Sequence, residues 1–191
     1  MQVELWLVRH GETEWSRAGK HTGRTDLPLT PAGEQQGRKL ARLLRDRRFD
    51  LVLTSPLQRA RETCRLAGFG GVALHDDNLL EYNYGDYEGR TTAEIRSERP
   101  NWSLWSDGVP GGETIWQAAA RAQAVIDRVA GGSARKAIVF GHGHILRILA
   151  SCWLGLPPET ARLFAMTTAS VNTLGYERET RVLTGWNAFA S

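Results

Sequence analysis

His10 stands between Arg9 and Gly11, where a short apolar run ends. A neutral imidazole is nucleophilic near physiological pH, and a neighbouring guanidinium is suited to hold a phosphate for it to attack. Two further stretches offer matching groups. Ser55 and Arg59 follow the apolar run Leu51–Thr54, and Gly141-His142-Gly143 follows Ala137–Phe140. Arg59 falls in the first turn of a predicted helix, where a cation opposes the macrodipole unless an anion sits beside it. Gly141 and Gly143 leave room at a second helix N-terminus, where free amides favour a phosphoryl group. Converging, these pieces put two arginines, two imidazoles and backbone donors around one anion. The acid comes from 76–89, which holds Asp76, Asp77, Glu81, Asp86 and Glu88. Glu81 has the most apolar neighbours, Leu79, Leu80 and Tyr82, so partial desolvation is expected to keep it protonated as a general acid. The other four carboxylates read as solvated or turn residues.

The elements needed to position these groups are legible in outline. Val3–Val8, Leu51–Thr54, a short piece at Val72–Leu74, and Ala137–Phe140 read as strands, and Val171–Tyr176 with Arg181–Trp186 reads as a closing pair. Arg9–Pro28 has no helical period and reads as a long loop, a length that favours function. Thr30-Pro31 opens a helix with Leu40, Leu43 and Leu44 on its apolar face, in which Gly33 and Gly37 permit close packing. Ser55-Pro56-Leu57-Gln58 predicts a capping box for a helix that runs to Ala67 and buries Ala60, Cys64 and Ala67. A short helix is expected over Thr91–Arg99, a tryptophan- and glycine-rich loop over Trp102–Gly112, a helix from Glu113 to Gly131, and another from His144 to near Gly155. Strands alternating with helices predict an α/β fold, a three-layer sandwich with a mostly parallel central sheet, in which ligands bind at the strand carboxyl ends.

Composition narrows the class. A length of 191 residues suits a single domain over 1–191. A net charge of +3 is too small and too dispersed for a nucleic-acid surface. No apolar run reaches membrane-spanning length, and Met1-Gln2-Val3-Glu4 does not look like the start of a signal peptide. Cys64 and Cys152 form no disulfide framework or metal-type spacing, so a cytoplasmic setting is expected. Of the basic residues only Lys20, Lys39 and Lys136 are lysines. Most of the arginines, such as Arg42, Arg45, Arg47 and Arg48, read as helix-end decoration.

The chain resembles the histidine phosphatase superfamily, its phosphoglycerate mutase-like branch. The resemblance rests on Leu7–Thr13, Thr22-Gly23, Leu29–Gly33, Thr54–Ala60, Leu80–Gly89, Gly111–Thr114 and Gly141–Gly143, in that order. It implies a phosphoglycerate mutase-like fold and hydrolysis of phosphate monoesters through a phosphohistidine on His10. Glu81 would be the proton donor, and Arg9, Arg59 and His142 would bind phosphate with the Gly143 amide. Ser16, Thr22 and Gly23 would lie against substrate or phosphate. Ser16 departs from the asparagine usual in the mutases. No cofactor or metal is implied. The partner is a small-molecule phosphate ester, and a homodimer is compatible with the sequence.

Other readings are weighed against this one. A 2,3-bisphosphoglycerate-dependent phosphoglycerate mutase uses the same residues, but the interval from Glu88 to Gly112 is short for one. A metal-dependent hydrolase would need a third ligand beside the weak His142-x-His144 signal. A non-catalytic phospho-ligand binding module would need no acid. Glu113 reads as a carboxylate near a helix N-terminus and His144 as a helix-start neighbour. His21 and Lys20 read equally as pocket mouth or loop surface, and Trp102, Trp105 and Trp116 as core.

Overall fold

The computed structural model describes residues 2–189, so Met1, where the leader reading begins, lies outside them. One six-stranded sheet has the order β3-β2-β4-β1-β5-β6. Its strands are β1 (Glu4–Arg9), β2 (Leu51–Thr54), β3 (Leu74–His75), β4 (Lys136–Gly141), β5 (Val171–Glu177) and β6 (Thr180–Ala188). The first four run parallel, and β5 and β6 are antiparallel. Among the described residues the helices are α1 (Glu14–Arg17), α2 (Pro31–Leu44), α3 (Gln58–Leu66), α4 (Thr92–Glu98), α5 (Leu104–Asp107), α6 (Ile115–Gly131) and α7 (Gly143–Trp153).

Alternation along the strands builds the three layers. Leu5 and Leu7 of β1 share one core with Ala122, Val125 and Ile126 of α6 and Ile145, Ile148 and Leu149 of α7. Trp6 and Val8 point the other way, into a core with Leu40 and Leu44 of α2 and Cys64 of α3. With both faces covered, the inner strands read as continuous apolar runs, as parallel strands do. The expected α/β sandwich is therefore observed.

Local chemistry explains most helix starts. The Thr30 hydroxyl accepts from the Gly33 amide, with Pro31 in the first turn. Gly33 and Gly37 are required by contact: a Cβ on Gly33 would lie 2.1 Å from the Glu12 carbonyl, and one on Gly37 would lie 2.9 Å from Leu66 Cβ. The α3 start differs from expectation. Ser55 forms no capping box; Leu57 occupies the cap position without a side-chain bond, and the helix begins at Gln58. Likewise α6 begins at Ile115, capped by Thr114 and Gln117, and leaves Glu113 outside. The 9–28 loop contains α1, closed by a Thr13–Ser16 capping box, and the Trp102–Gly112 loop contains α5. Both helices are four residues long, too short to leave a periodic signal. Trp102 is buried as expected, whereas Trp116 is 63% exposed because it falls on the outer face of α6. No helix among the described residues is long and apolar enough to cross a membrane.

Candidate active site

The sheet register brings three strand exits side by side. Arg9 of β1 pairs with Gly141 of β4, and Thr54 of β2 pairs with Phe140. The next residues continue the ladder: His10 N–H donates to the Gly141 carbonyl at 2.9 Å and Ser55 N–H to the Phe140 carbonyl at 2.9 Å. His10, Ser55 and His142 thus meet because of strand order alone, at the carboxyl edge of the parallel strands.

The His10 side chain is 4% exposed. Its Nδ1 lies 2.7 Å from the Gly11 carbonyl. A carbonyl only accepts, so Nδ1 carries the proton and Nε2 keeps its lone pair. Burial, reinforced by Arg59 and Arg9, holds the ring well below the ordinary histidine value, against the opposing Gly11 bond. Gly11 is itself pinned: its N–H donates to Thr63 Oγ1 at 2.9 Å, and a Cβ there would strike the Gly33 carbonyl at 2.4 Å. The Arg9 guanidinium lies against Gly143, where an added Cβ would come within 3.4 Å of its Nε. One Arg9 terminal nitrogen donates to the Met166 carbonyl at 2.5 Å, while Nε is buried without a partner among the described residues. A buried, unpaired charged donor beside a nucleophilic ring fits an anion.

His142 is fully buried, and its ring centroid lies 5.2 Å from that of His10. Arg59 Nε donates to its Nδ1 at 3.0 Å, so the proton is on Nε2, which donates to Ser55 Oγ at 2.8 Å. Burial, then Arg59 and His10, hold this ring far below the ordinary value as well. His142 is therefore neutral, and offers the site a dipole rather than a positive charge. Ser55, assigned by sequence to a helix cap, is instead the partner of His142. Arg59 is also fully buried, and donates to the carbonyls of Thr22, Gly23 and Thr25 at 3.2, 2.9 and 2.9 Å. It ties the 22–25 loop beneath His142.

Glu81 is 4% exposed, but its surroundings are polar. Its Oε1 accepts from Tyr82 and Ile145 amides at 2.8 and 2.9 Å, and Oε2 accepts from the His144 amide at 3.0 Å. The apolar pocket expected from Leu79, Leu80 and Tyr82 is not what surrounds the carboxyl. Leu79 and Tyr82 turn into the core, Leu80 is only half-buried, and the α7 N-terminus supplies the donors instead. The loop carrying Glu81 is clamped from behind by Arg121 of α6. Arg121 donates to the Asn78 and Leu80 carbonyls at 2.8 and 2.7 Å and pairs with Glu113 at 2.7 Å. Glu113 accepts from the Asn83 amide at 3.2 Å, and its carbonyl accepts from the Tyr82 hydroxyl. It is thus part of this clamp rather than a helix-dipole decoration.

His10, Arg9, Glu81 and Gly143 line one cavity of about 180 Å³, with Ser16, Thr22, Tyr84, His144 and Arg147 among the other walls. Two larger surface grooves, of about 730 and 800 Å³, contain none of the first four. The Ser16 hydroxyl is engaged in the α1 cap, donating to the Thr13 carbonyl at 3.0 Å. The Thr22 hydroxyl donates to the Lys20 carbonyl at 3.2 Å. Gly23 stands back from the cavity, its amide donating to the Glu88 carboxylate at 2.9 Å. Glu88 also accepts from Thr25, and Asp76 is buried against Arg128 at 2.8 Å, so neither is a solvated residue. Arg59 and His142 form the layer behind the cavity wall. The sequence places the Tyr82–Tyr87 segment on the specificity side of the pocket without singling out Tyr84, whose hydroxyl shares a 2.6 Å hydrogen bond with His144, and it gives no role to Arg147. For Arg147 a signal existed: it is the one charged residue inside the otherwise apolar run Ile145–Leu149.

Comparison with known proteins agrees with this geometry. Residues 5–188 match the model of the histidine phosphatase superfamily (branch 1). An acid phosphatase of Mycobacterium tuberculosis is 40% identical over 182 residues, covering 94% of this chain and 89% of that protein. A protein of Yersinia enterocolitica named as a probable phosphoglycerate mutase is 30% identical over 195 residues, covering 96% and 90%. The solved structure of an open reading frame product of Mycobacterium tuberculosis superposes with a TM-score of 0.94 at 36% identity, covering 99% of each chain.

Proposed function

We propose a specific chemistry for this chain, which belongs to the histidine phosphatase superfamily, branch 1, and is a hydrolase of phosphate monoesters. The reaction runs through a phosphohistidine on His10, without a metal, on a small phosphorylated metabolite. The observation that carries this reading is the fixed state of His10: neutral, with Nδ1–H tied to the Gly11 carbonyl and Nε2 unprotonated in a cavity shared with Arg9.

Nε2 attacks phosphorus and the bond to the ester oxygen breaks. The Gly11 carbonyl stabilises the positive charge that then builds on the ring. Arg9, through its unpartnered Nε, and the Gly143 amide hold the phosphoryl oxygens, with Arg59 supplying positive charge from behind His142. The Glu81 carboxyl, protonated on Oε2, which accepts from one amide where Oε1 accepts from two, gives its proton to the departing alkoxide. Water next attacks the phosphohistidine, Glu81 takes back a proton, and inorganic phosphate leaves with His10 neutral again.

Rapid quenching during turnover tests this. Acid-labile phosphate should be found on His10, and His10→Ala should lose turnover while keeping the wild-type circular dichroism spectrum. Retained turnover in that variant ends the proposal, as does activity that chelator abolishes and a divalent metal restores. The 30% identity to a probable phosphoglycerate mutase favours one other reading, phosphoryl transfer back to a phosphoglycerate. Turnover primed with 2,3-bisphosphoglycerate that exceeds phosphate release would replace hydrolysis with it.

A further inference from the structure

The peptide groups that follow the nucleophile are held in different ways. The His10 amide donates to the Gly141 carbonyl at 2.9 Å, and the His10 carbonyl accepts from the Ala169 amide at 3.0 Å. The Gly11 amide donates to Thr63 Oγ1. The Glu12 carbonyl accepts from the Thr30 amide at 2.9 Å. Between these lies the peptide formed by the Gly11 carbonyl and the Glu12 amide. Among the described residues it has no backbone partner, and both of its bonds go to side chains. Its carbonyl accepts from His10 Nδ1 at 2.7 Å, and its N–H donates to Gln36 Oε1 at 2.8 Å.

The proton that fixes the His10 tautomer therefore leans on a peptide that one distant side chain secures. Gly11 has no Cβ, so its own sterics leave the carbonyl free to swing. Gln36 is half-buried in the second turn of α2, and that turn is itself braced against Glu12. Gly33 packs on the Glu12 backbone where no Cβ fits, and Thr30 Oγ1 donates to Glu12 Oε1 at 2.8 Å. A backbone N–H needs an oxygen acceptor, so the Gln36 amide is oriented with Oε1 toward Glu12. The Gln36 carbonyl, the 11–12 peptide and the His10 ring form one hydrogen-bonded chain. A peptide that donates at its N–H is the stronger acceptor at its carbonyl, because each bond polarises the next. The chain ends at Nδ1, on the ring that becomes positive when Nε2 bonds to phosphorus.

We propose that Gln36 is a positioning residue for the reaction. By holding the 11–12 peptide it keeps the His10 proton on Nδ1 and the lone pair on Nε2, and it steadies the ring as the phosphohistidine forms. This rests on the reading of His10 as the nucleophile and deepens it. Gln36 stands 24 residues from Glu12 in the chain and acts only through the Gly11 carbonyl.

The test removes the acceptor without changing the length of the side chain. Gln36→Met should lower kcat/KM by about 10- to 100-fold, alike on alkyl phosphates and on p-nitrophenyl phosphate, since it disturbs the nucleophile and not the acid. Gln36→Glu keeps an acceptor oxygen at the same reach and should restore most of that loss. Nitrogen-15 NMR of labelled histidines, with the His10 signals assigned by their absence in His10→Ala, reads the ring without turnover. The wild-type ring should show a protonated Nδ1 and a bare Nε2, and Gln36→Met should show the two tautomers mixed. Wild-type kcat/KM in Gln36→Met overturns the proposal, as do equal losses in both variants. So does a loss of activity with the tautomer unchanged, the mark of a purely structural role. A wild-type ring protonated on Nε2 overturns both this proposal and the reading beneath it. Turnover retained in His10→Ala strikes the reaction alone, and the tautomer comparison still decides whether Gln36 sets the ring.

Discussion

The floor of the cavity and its wall are built on different principles. The floor, with His10, His142 and Ser55, is placed by backbone pairing. Each lies at or beside the first residue after a strand, and the register of β2, β4 and β1 sets their neighbours. The wall, with Glu81 and Tyr84, belongs to a segment with only short 3-10 turns and no sheet partners. It is held by side chains, chiefly Arg121 with Glu113 and the amides of α7. A floor set by a sheet is costly to move. A wall set by one guanidinium depends on a residue that touches none of the reacting atoms.

Substitutions in the two regions should therefore fail differently. Wall variants should hurt esters with poor leaving groups, which need a proton, more than aryl esters, which do not. Glu81→Gln should lower kcat/KM on alkyl phosphates by about 10²–10⁴ and on p-nitrophenyl phosphate by far less. Equal losses on both would dissolve the distinction. Arg121→Met should reproduce that pattern at smaller amplitude, about 10- to 100-fold on alkyl phosphates, by loosening the Glu81 loop. A purely structural role would lower both substrates together along with Tm. Ser55→Ala, in the floor, should cost about tenfold on both ester classes alike, since it frees the His142 ring that backs the phosphoryl site. A leaving-group dependence there would put Ser55 in the wall's role.

The smallest effect is on stability. His10, His142 and His144 are all held below the ordinary value of 6.5 in the folded chain, chiefly by burial. Between those lowered values and 6.5 the unfolded chain binds protons that the folded chain refuses. Stability is then complete above 6.5 and falls as pH drops below it. Thermal melts from about pH 8 to about pH 5 should show a Tm that declines below 6.5, and more shallowly in His144→Phe. A Tm flat across that range would mean the imidazoles are accessible and the floor is looser than its hydrogen bonds indicate.

The layers, and the strand exits on which the floor is built, are legible in the order of the amino acids. Continuous apolar runs, Thr30-Pro31 and the glycines flanking His10 and His142 each act within a few residues, so strand exits and the chemistry at them are readable locally. The expected sheet and the gathering of His10, Arg9, Glu81 and Gly143 around one cavity follow from that reading. Tertiary structure decided what depends on partners far along the chain. Ser55 resembles a helix cap until the β2–β4 register sets it against His142, 87 residues away. Glu81 resembles a carboxyl among apolar side chains until the α7 amides, 63 and 64 residues on, reach it. The charge state of His142 leaves no local signal, and burial with Arg59 fixes it neutral. Each of these is electrostatic, and the state of a polar group depends on every donor and charge around it rather than on its neighbours in sequence.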